Sequence, residues 1–393
     1  MEVDNKVFRD AVAELESLGF RVSQSAHFGA RAYAVIPARS NERWWLIPLA
    51  SRALFNNGMA LFQPVTKVAK FTKKAGSVIN AFGLSSLFFR EKLFVSEESC
   101  LSKFFPGERL HYAFFTGTDG PHRKTTIQVM NEKGAIRGFA KVTKNTEIKS
   151  NLAREAEALS LLETADLATA NVPSVIYFGD VLQASMLVTD TLKTAAAKTV
   201  LNIRQPHVQF LAELRGKTAL INGGRSLDST ITSEMLQERY SEIVMNMPER
   251  WRGRINAAIE KASRANYIDN HGGLQHGDFT PWNTFFIDGR LYVFDWEYAD
   301  RIYPYGYDFI HFSCATLNMS GLSPGVLVNA LRTSLISHCQ TKSLAESNAC
   351  LLNYFCSNSL FLYGRHLRSG ATHSRGLDLK MAAGCIDYII SGE

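Results

Sequence analysis

The sequence is most easily bounded by what it lacks. No segment approaches the roughly 18 consecutive apolar residues that a membrane-spanning helix needs. The longest run free of Asp, Glu, Lys and Arg, Phe309–Leu331, is broken by His311, Asn318, Ser320 and Pro324. A transmembrane segment is therefore not expected. Met1-Glu2-Val3-Asp4 carries acid where a secretory signal needs base, and no apolar segment follows it. The six cysteines form no CxxC pair and no Cys/His metal spacing, so free, mostly buried thiols and a cytoplasmic protein are expected. Charge of one sign is also missing. The 43 Lys and Arg against 37 Asp and Glu leave a net charge of +6, too mild for a nucleic-acid footprint. Internal repeats, low-complexity tracts and long Gly/Ser/Pro linkers are absent as well.

What is present is core-building material. Of the 393 residues, 46% are hydrophobic, and the 25 Phe, 13 Tyr and 5 Trp exclude disorder as a whole-chain description. The length suggests two or three domains, and local patterning divides the chain into three parts. Residues 1–105 read as an accessory α/β region. In it Phe8, Val12, Leu15 and Leu18 recur at helical spacing up to Gly19, and short strands are expected at 33–36 and 44–47. Residues 106–191 read as strands at 111–115, 125–130, 136–142, 175–178 and 185–189, with one helix at about 150–164. Residues 192–393 read as mainly helical, with Pro248 at the start of a helix and a strand-rich interval at 274–294. The expected fold is thus α+β: a five-stranded sheet carrying one helix, then a helical lobe.

The chemistry is concentrated in Gln275-His276-Gly277-Asp278-Phe279-Thr280-Pro281-Trp282-Asn283 and the hairpin after it. Asp288-Gly289 between two apolar runs is a strong two-residue hairpin signal. The hairpin returns the chain so that Asn283 at its start and Asp295 at its end meet, with Asp278 one short loop upstream. Phosphoryl transfer needs such a group: a carboxylate facing the attacking hydroxyl, plus an amide and a second carboxylate on Mg²⁺. One Asn and one Asp suffice for that ion when phosphates and waters complete its shell.

His-Gly-Asp, four residues, Asn, and then a hairpin leading to Asp295-Trp296-Glu297 resembles the aminoglycoside phosphotransferase and choline kinase superfamily, most tightly over 274–312. The resemblance implies a two-lobed protein-kinase-like fold with a five-stranded antiparallel sheet in the N-lobe and a helical C-lobe, preceded here by the extra region. It implies ATP as co-substrate and Mg²⁺ as the ion. By resemblance Asp278 is the catalytic carboxylate, and Asn283 and Asp295 are catalytic metal ligands. His276 is structural, Glu297 a helper near the metal or acceptor, and Asp308 in Tyr307-Asp308-Phe309-Ile310 an anchor of the catalytic loop, unless it merely caps its helix. Upstream, such a site needs a strand lysine for the phosphates and a helix glutamate to hold it. Lys141 and Glu155 stand in that order. Glu157 is the alternative, but about 200° further round the helix. Gly117, Thr118 and Gly120 belong to a phosphate loop with fewer glycines than GxGxxG. Thr189 and Thr191 fall where the superfamily places its hinge and adenine contacts.

The acceptor is expected to be a hydroxyl of a small metabolite, sugar or glycan. The aromatic run Tyr303, Tyr305, Tyr307 and Phe309 points instead to a choline or ethanolamine kinase, since aromatic faces bind quaternary ammonium. Gly277 departs from that branch, which usually has Asn after the loop histidine. A pseudokinase or scaffold binding nucleotide or glycan without turnover is the rival from another class. A basic stretch at 64–92, with Lys67, Lys70 and Lys74 on one helical stripe, raises contact with an anionic membrane surface. A solvated basic helix is the plainer reading. His311 reads as a packed histidine.

Overall fold

The computed structural model describes residues 5–38, 42–62, 73, 75–76, 78–80, 89, 91–96, 98–120, 122–194, 197–221, 238, 240–265, 273–317, 321–338, 341–368 and 379–392. These form two compact units, Met1–Ser160 with Val172–Lys198, and Leu161–Asn171 with Thr199–Glu393. Among the described residues no helix is long and apolar enough to cross a membrane. Most of the 64–92 stretch, including Lys67, Lys70 and Lys74, lies outside the described residues, as do Met235 and Leu236 of an expected helix.

The first unit is a twisted antiparallel sheet. Helix α1 (Lys6–Glu16) precedes β1 (Val22–Ser23), β2 (Ala30–Ala38) and β3 (Arg43–Pro48), followed by α2 (Arg52–Gly58) and β4 (Lys92–Ser96). Then come β5 (Leu110–Phe115), β6 (Thr125–Asn131), β7 (Ile136–Thr143), helix α3 (Thr146–Ala165), β9 (Val175–Val181) and β10 (Ala184–Asp190). The last five of these strands are the five expected. Among the described residues, however, the sheet has nine strands in the order β1-β4-β2-β3-β5-β6-β7-β10-β9. The correction has a physical reason. An open edge of β5 would leave a row of unpaired backbone groups, and β3 covers it, with Trp45 opposite Phe115 and Leu46 opposite Phe114. Tyr33, Val35 and Leu46 share one buried cluster with Tyr112, Phe114 and Ile127. Sheet and core therefore run straight across residue 106.

Alternation along β7 positions Lys141. Ala140 and Val142 are fully buried in the core, so the intervening Lys141 faces the opposite side of the sheet. Helix α3 begins where the Asn145 carboxamide oxygen accepts the Glu147 amide (2.8 Å). It packs Leu152 and Ala156 against Leu187 of β10.

The second unit holds β8 (Ala170–Asn171), β11 (Thr284–Ile287) and β12 (Arg290–Val293), with β8 parallel to β12. Asp288 and Gly289 both have positive φ, 49° and 80°, the two-residue turn that their identities favour. The helices are α4 (Gln205–Ile221), α5 (Ser241–Asn246), α6 (Glu249–Ser263), α7 (Tyr307–Leu317), α8 (Pro324–His338), α9 (Leu344–Arg368) and α10 (Lys380–Ser391). Ile255, Leu331, Leu351, Ile386 and Ile389 lie in their common core. Of the cysteines described, Cys314, Cys350, Cys356 and Cys385 are buried and Cys100 is half-buried, all as free thiols.

Candidate active site

In the first unit, the Lys141 ammonium donates to both Glu155 carboxylate oxygens at 2.6 Å. Glu155 is 2% exposed, so the pair is largely desolvated. Glu157 is exposed on another face of α3, which settles that choice. Gly117, Thr118 and Gly120 lie in the β5–β6 loop. Gly117 has φ +82°, and a Cβ there would meet the Lys124 carbonyl at 2.4 Å, so the tight turn requires glycine. The loop is stapled from the N-terminal region. Arg123 Nη1 donates to the Thr116 carbonyl (2.8 Å) and Nη2 to Glu14 Oε1 (2.7 Å), while Thr125 Oγ1 donates to Glu14 Oε2 (2.5 Å). Burial pushes the Glu14 carboxyl up, and Arg123 opposes it. Nothing in the sequence signalled this long-range contact. Thr189 is buried on β10 opposite Phe139, and the Thr191 hydroxyl accepts the Lys193 amide (3.0 Å).

In the second unit, the loop and hairpin meet as the turn dictates. Asn283 Nδ2 donates to the Asp278 backbone carbonyl (3.0 Å) and to Asp278 Oδ2 (2.9 Å). The Phe294 amide donates to the Asn283 carbonyl (3.1 Å), which puts Asp295 one residue beyond the hairpin closure, with φ +71°. His276 Nδ1 accepts the Asp278 amide (3.2 Å), so Nε2 carries the proton and donates to the Phe294 carbonyl (3.0 Å). Asp308, at the start of α7, accepts the His276 and Gly277 amides at 2.6 and 2.9 Å. Burial pushes its carboxyl up, against the opposing pull of His276 and the two amides. Gly277 adopts φ +79°, and a Cβ would strike the Tyr298 carbonyl at 2.3 Å. Glu297 is buried, and burial together with Glu297, Asp278 and Asp295 drives the Tyr298 phenol far above its usual range.

The sequence reading gave His311 as a packed histidine; it packs against Tyr307 and Tyr354, but it also reaches Asp278, which that reading did not anticipate. Its Nε2 lies 3.1 Å from Asp278 Oδ1. The available signal was spacing, since His311 stands three residues after Asp308 and so shares a helix face with the residue that anchors the loop.

Among the described residues no group of three or more His, Cys, Asp and Glu side chains is arranged to hold a metal unaided. The donor set instead suits Mg²⁺. Asn283 spends its Nδ2 on Asp278, which leaves Oδ1 as an oxygen donor; with the Asp295 carboxylate it makes the kind of oxygen pair that would hold such an ion, the remaining ligands coming from phosphates and water.

A family model described as the phosphotransferase enzyme family matches residues 224–336. The resemblance is to phosphotransferases. A solved thermostable mutant of aminoglycoside phosphotransferase APH(4)-Ia, in complex with ADP and hygromycin B, is 13% identical, with 74% of this chain and 96% of that chain covered and a TM-score of 0.46. Macrolide 2'-phosphotransferase MphH from Brachybacterium faecium is 14% identical over 72% and 93% (TM-score 0.42). Spectinomycin phosphotransferase APH(9)-Ia with ADP and spectinomycin is 12% identical over 72% and 94% (TM-score 0.40). No curated protein matches the chain. The family match spans the 274–312 stretch on which the resemblance was read, and the strand count is corrected as above.

Proposed function

We propose that the protein is an ATP-dependent phosphotransferase that moves the γ-phosphate to a hydroxyl of a sugar, glycan or similar small metabolite. The observation that carries this reading is the Asp278–Asn283 hydrogen bond at the foot of the hairpin that delivers Asp295. Asp278 accepts from the attacking hydroxyl and aligns it. Lys141, held by Glu155, carries the α/β-phosphates, with Gly117, Thr118 and Gly120 covering them and Thr189 and Thr191 beside the base. Asn283 and Asp295 hold Mg²⁺, which when bound neutralises phosphate charge. Asp308 and His276 keep the loop in shape through the bonds described above.

Two features support the acceptor class. Tyr303, Tyr307 and Phe309 are buried in the core, 8%, 1% and 2% exposed, and the ring of Tyr305 already carries the Arg215 guanidinium 4.2 Å from its centroid. That aromatic run therefore has no open cage for a quaternary ammonium. Arg365, in contrast, lies over the rings of Tyr298 and Phe361, 5.7 and 5.6 Å from their centroids. A cation next to Tyr298, itself under the field of Asp278 and Asp295, suits a neutral or anionic acceptor better than a polycation.

The test is a panel of sugars, sugar phosphates, amino alcohols and glycans with radiolabelled ATP and Mg²⁺. Transfer to a sugar or glycan is expected. Metal-dependent nucleotide binding with no transfer to any member would favour the scaffold, and preferred transfer to choline or ethanolamine would overturn the acceptor class.

A further inference from the structure

The Asp278 carboxylate has hydrogen-bonding neighbours at both oxygens. Oδ2 accepts from Asn283 Nδ2 (2.9 Å), and Oδ1 faces His311 Nε2 (3.1 Å). His311 is fixed in turn. Its Nδ1 lies 3.1 Å from the Tyr354 hydroxyl on α9, and its ring lies nearly parallel to that of Tyr307, at 8° with centroids 5.7 Å apart. An ionised carboxylate only accepts, so Nε2 must carry the proton that faces it. In a neutral ring Nδ1 is then an acceptor, and Tyr354 is the donor that fills it, with its own oxygen left to accept from the Cys314 thiol. Burial holds the Tyr354 phenol far above its usual range, so its proton stays in place.

We propose that His311 is a positioning residue for Asp278: Tyr354 selects its Nε2–H tautomer, and the imidazole holds one carboxylate oxygen while Asn283 holds the other. The proposal rests on the phosphotransferase reading for its catalytic consequence, while the clamp itself rests on geometry alone. Asp278 is 32% exposed at the side chain and His311 19%, so without the imidazole the carboxylate is free to turn towards water. Each oxygen retains a lone pair for an acceptor hydroxyl, since a carboxylate accepts about four hydrogen bonds. Misplacing a catalytic group by about 1 Å can cost roughly 10²-fold in rate. A histidine that merely fills space would affect stability without singling out turnover.

The experiment uses the full chain and Mg·ATP with water as acceptor, read by single-turnover release of labelled phosphate, together with ¹⁵N spectra of the histidine ring. His311→Ala is expected to lower kcat by roughly 10–100-fold with KM for ATP within about twofold. His311→Gln, which keeps a donor at similar reach, is expected to recover most of the loss. In an Asp278→Asn background, His311→Ala should add less than about twofold, because the two act as one unit. The spectra should show the Nε2–H tautomer in the wild type and a mixture in Tyr354→Phe. Wild-type turnover in His311→Ala, full additivity with Asp278→Asn, or an Nδ1–H tautomer would each overturn the proposal. A wild-type protein that releases no phosphate in this assay, and transfers none in the acceptor panel, would instead bring down the phosphotransferase reading. The tautomer, and its change in Asp278→Asn, would then decide the clamp alone.

Discussion

Lys141 and Asp278 are held in place by different means. Lys141 stands on a regular strand, is aimed by alternation, and makes a short ion pair to a regular helix. Asp278 stands in a loop with no repeating backbone pattern. It is fixed by hydrogen bonds from Asn283 and His311, by two amides anchored on Asp308, and by a glycine in the left-handed region. Regular elements give a functional side chain its direction cheaply, because the backbone pairs with itself. A loop must satisfy its backbone groups with side chains, and so it draws residues from distant parts of the chain into the site.

The most severe break of this comparison is truncation. A chain starting at Glu98 loses β1–β4 and uncovers Tyr112, Phe114 and Ile127, so no soluble folded product is expected by circular dichroism and size exclusion. A folded product would show that β5, β6, β7, β9 and β10 stand alone, with Lys141 independent of the N-terminal region. The next largest effect is expected at the loop. Asp278→Asn should cut turnover by roughly 10²–10⁴-fold, while nucleotide affinity changes by less than about 1 kcal/mol. Near-wild-type transfer by a stable mutant would remove Asp278 from the mechanism.

Lys141→Met tests the regular-element side. It takes the ammonium away from the buried Glu155 carboxylate, which is expected to cost about 3 kcal/mol in denaturant unfolding. The Lys141→Met, Glu155→Leu double mutant should regain part of that stability but not the nucleotide affinity. If the single mutant is as stable as the wild type, the pair contributes nothing to the fold.

The mildest prediction concerns pH and the aromatic packing beneath the loop. His207 is fully buried against Phe279, Phe286 and Phe312, and burial lowers its pKa from 6.5 to about 4. Above pH 6.5 the ring is neutral in both folded and unfolded chains and adds no pH dependence. Between 6.5 and about 4 the unfolded chain binds a proton that the folded one refuses, so stability falls as pH falls. The loss is expected to reach roughly 2–3 kcal/mol at the acid end of that window. His207→Leu should flatten that limb in urea unfolding at pH 7 and 4.5. An unchanged limb would assign the acid sensitivity to other groups.

Much of this was legible in local pattern. Asp288-Gly289 specifies a turn in which both residues take positive φ, and that turn alone brings Asn283 back towards Asp295. Alternation in 136–142 and helical spacing in 150–164 put Lys141 on one strand face and Glu155 and Glu157 on different helix faces, because each element's period fixes where its side chains point; which glutamate meets the lysine came from the fold. The nine-stranded sheet was not legible in the same way. Strand pairing is a contact between backbones, and no residue of β3 says which strand it will lie beside. The same limit hid the Glu14–Arg123 staple, whose partners are 109 residues apart. It also hid the grip of His311 on Asp278. Side-chain identity and spacing determined the chemistry that this protein carries, since they act within a few residues. Tertiary structure alone decided which distant side chains hold that chemistry in place, since a packed neighbour is chosen by the whole fold and local spacing names at most the face it lies on.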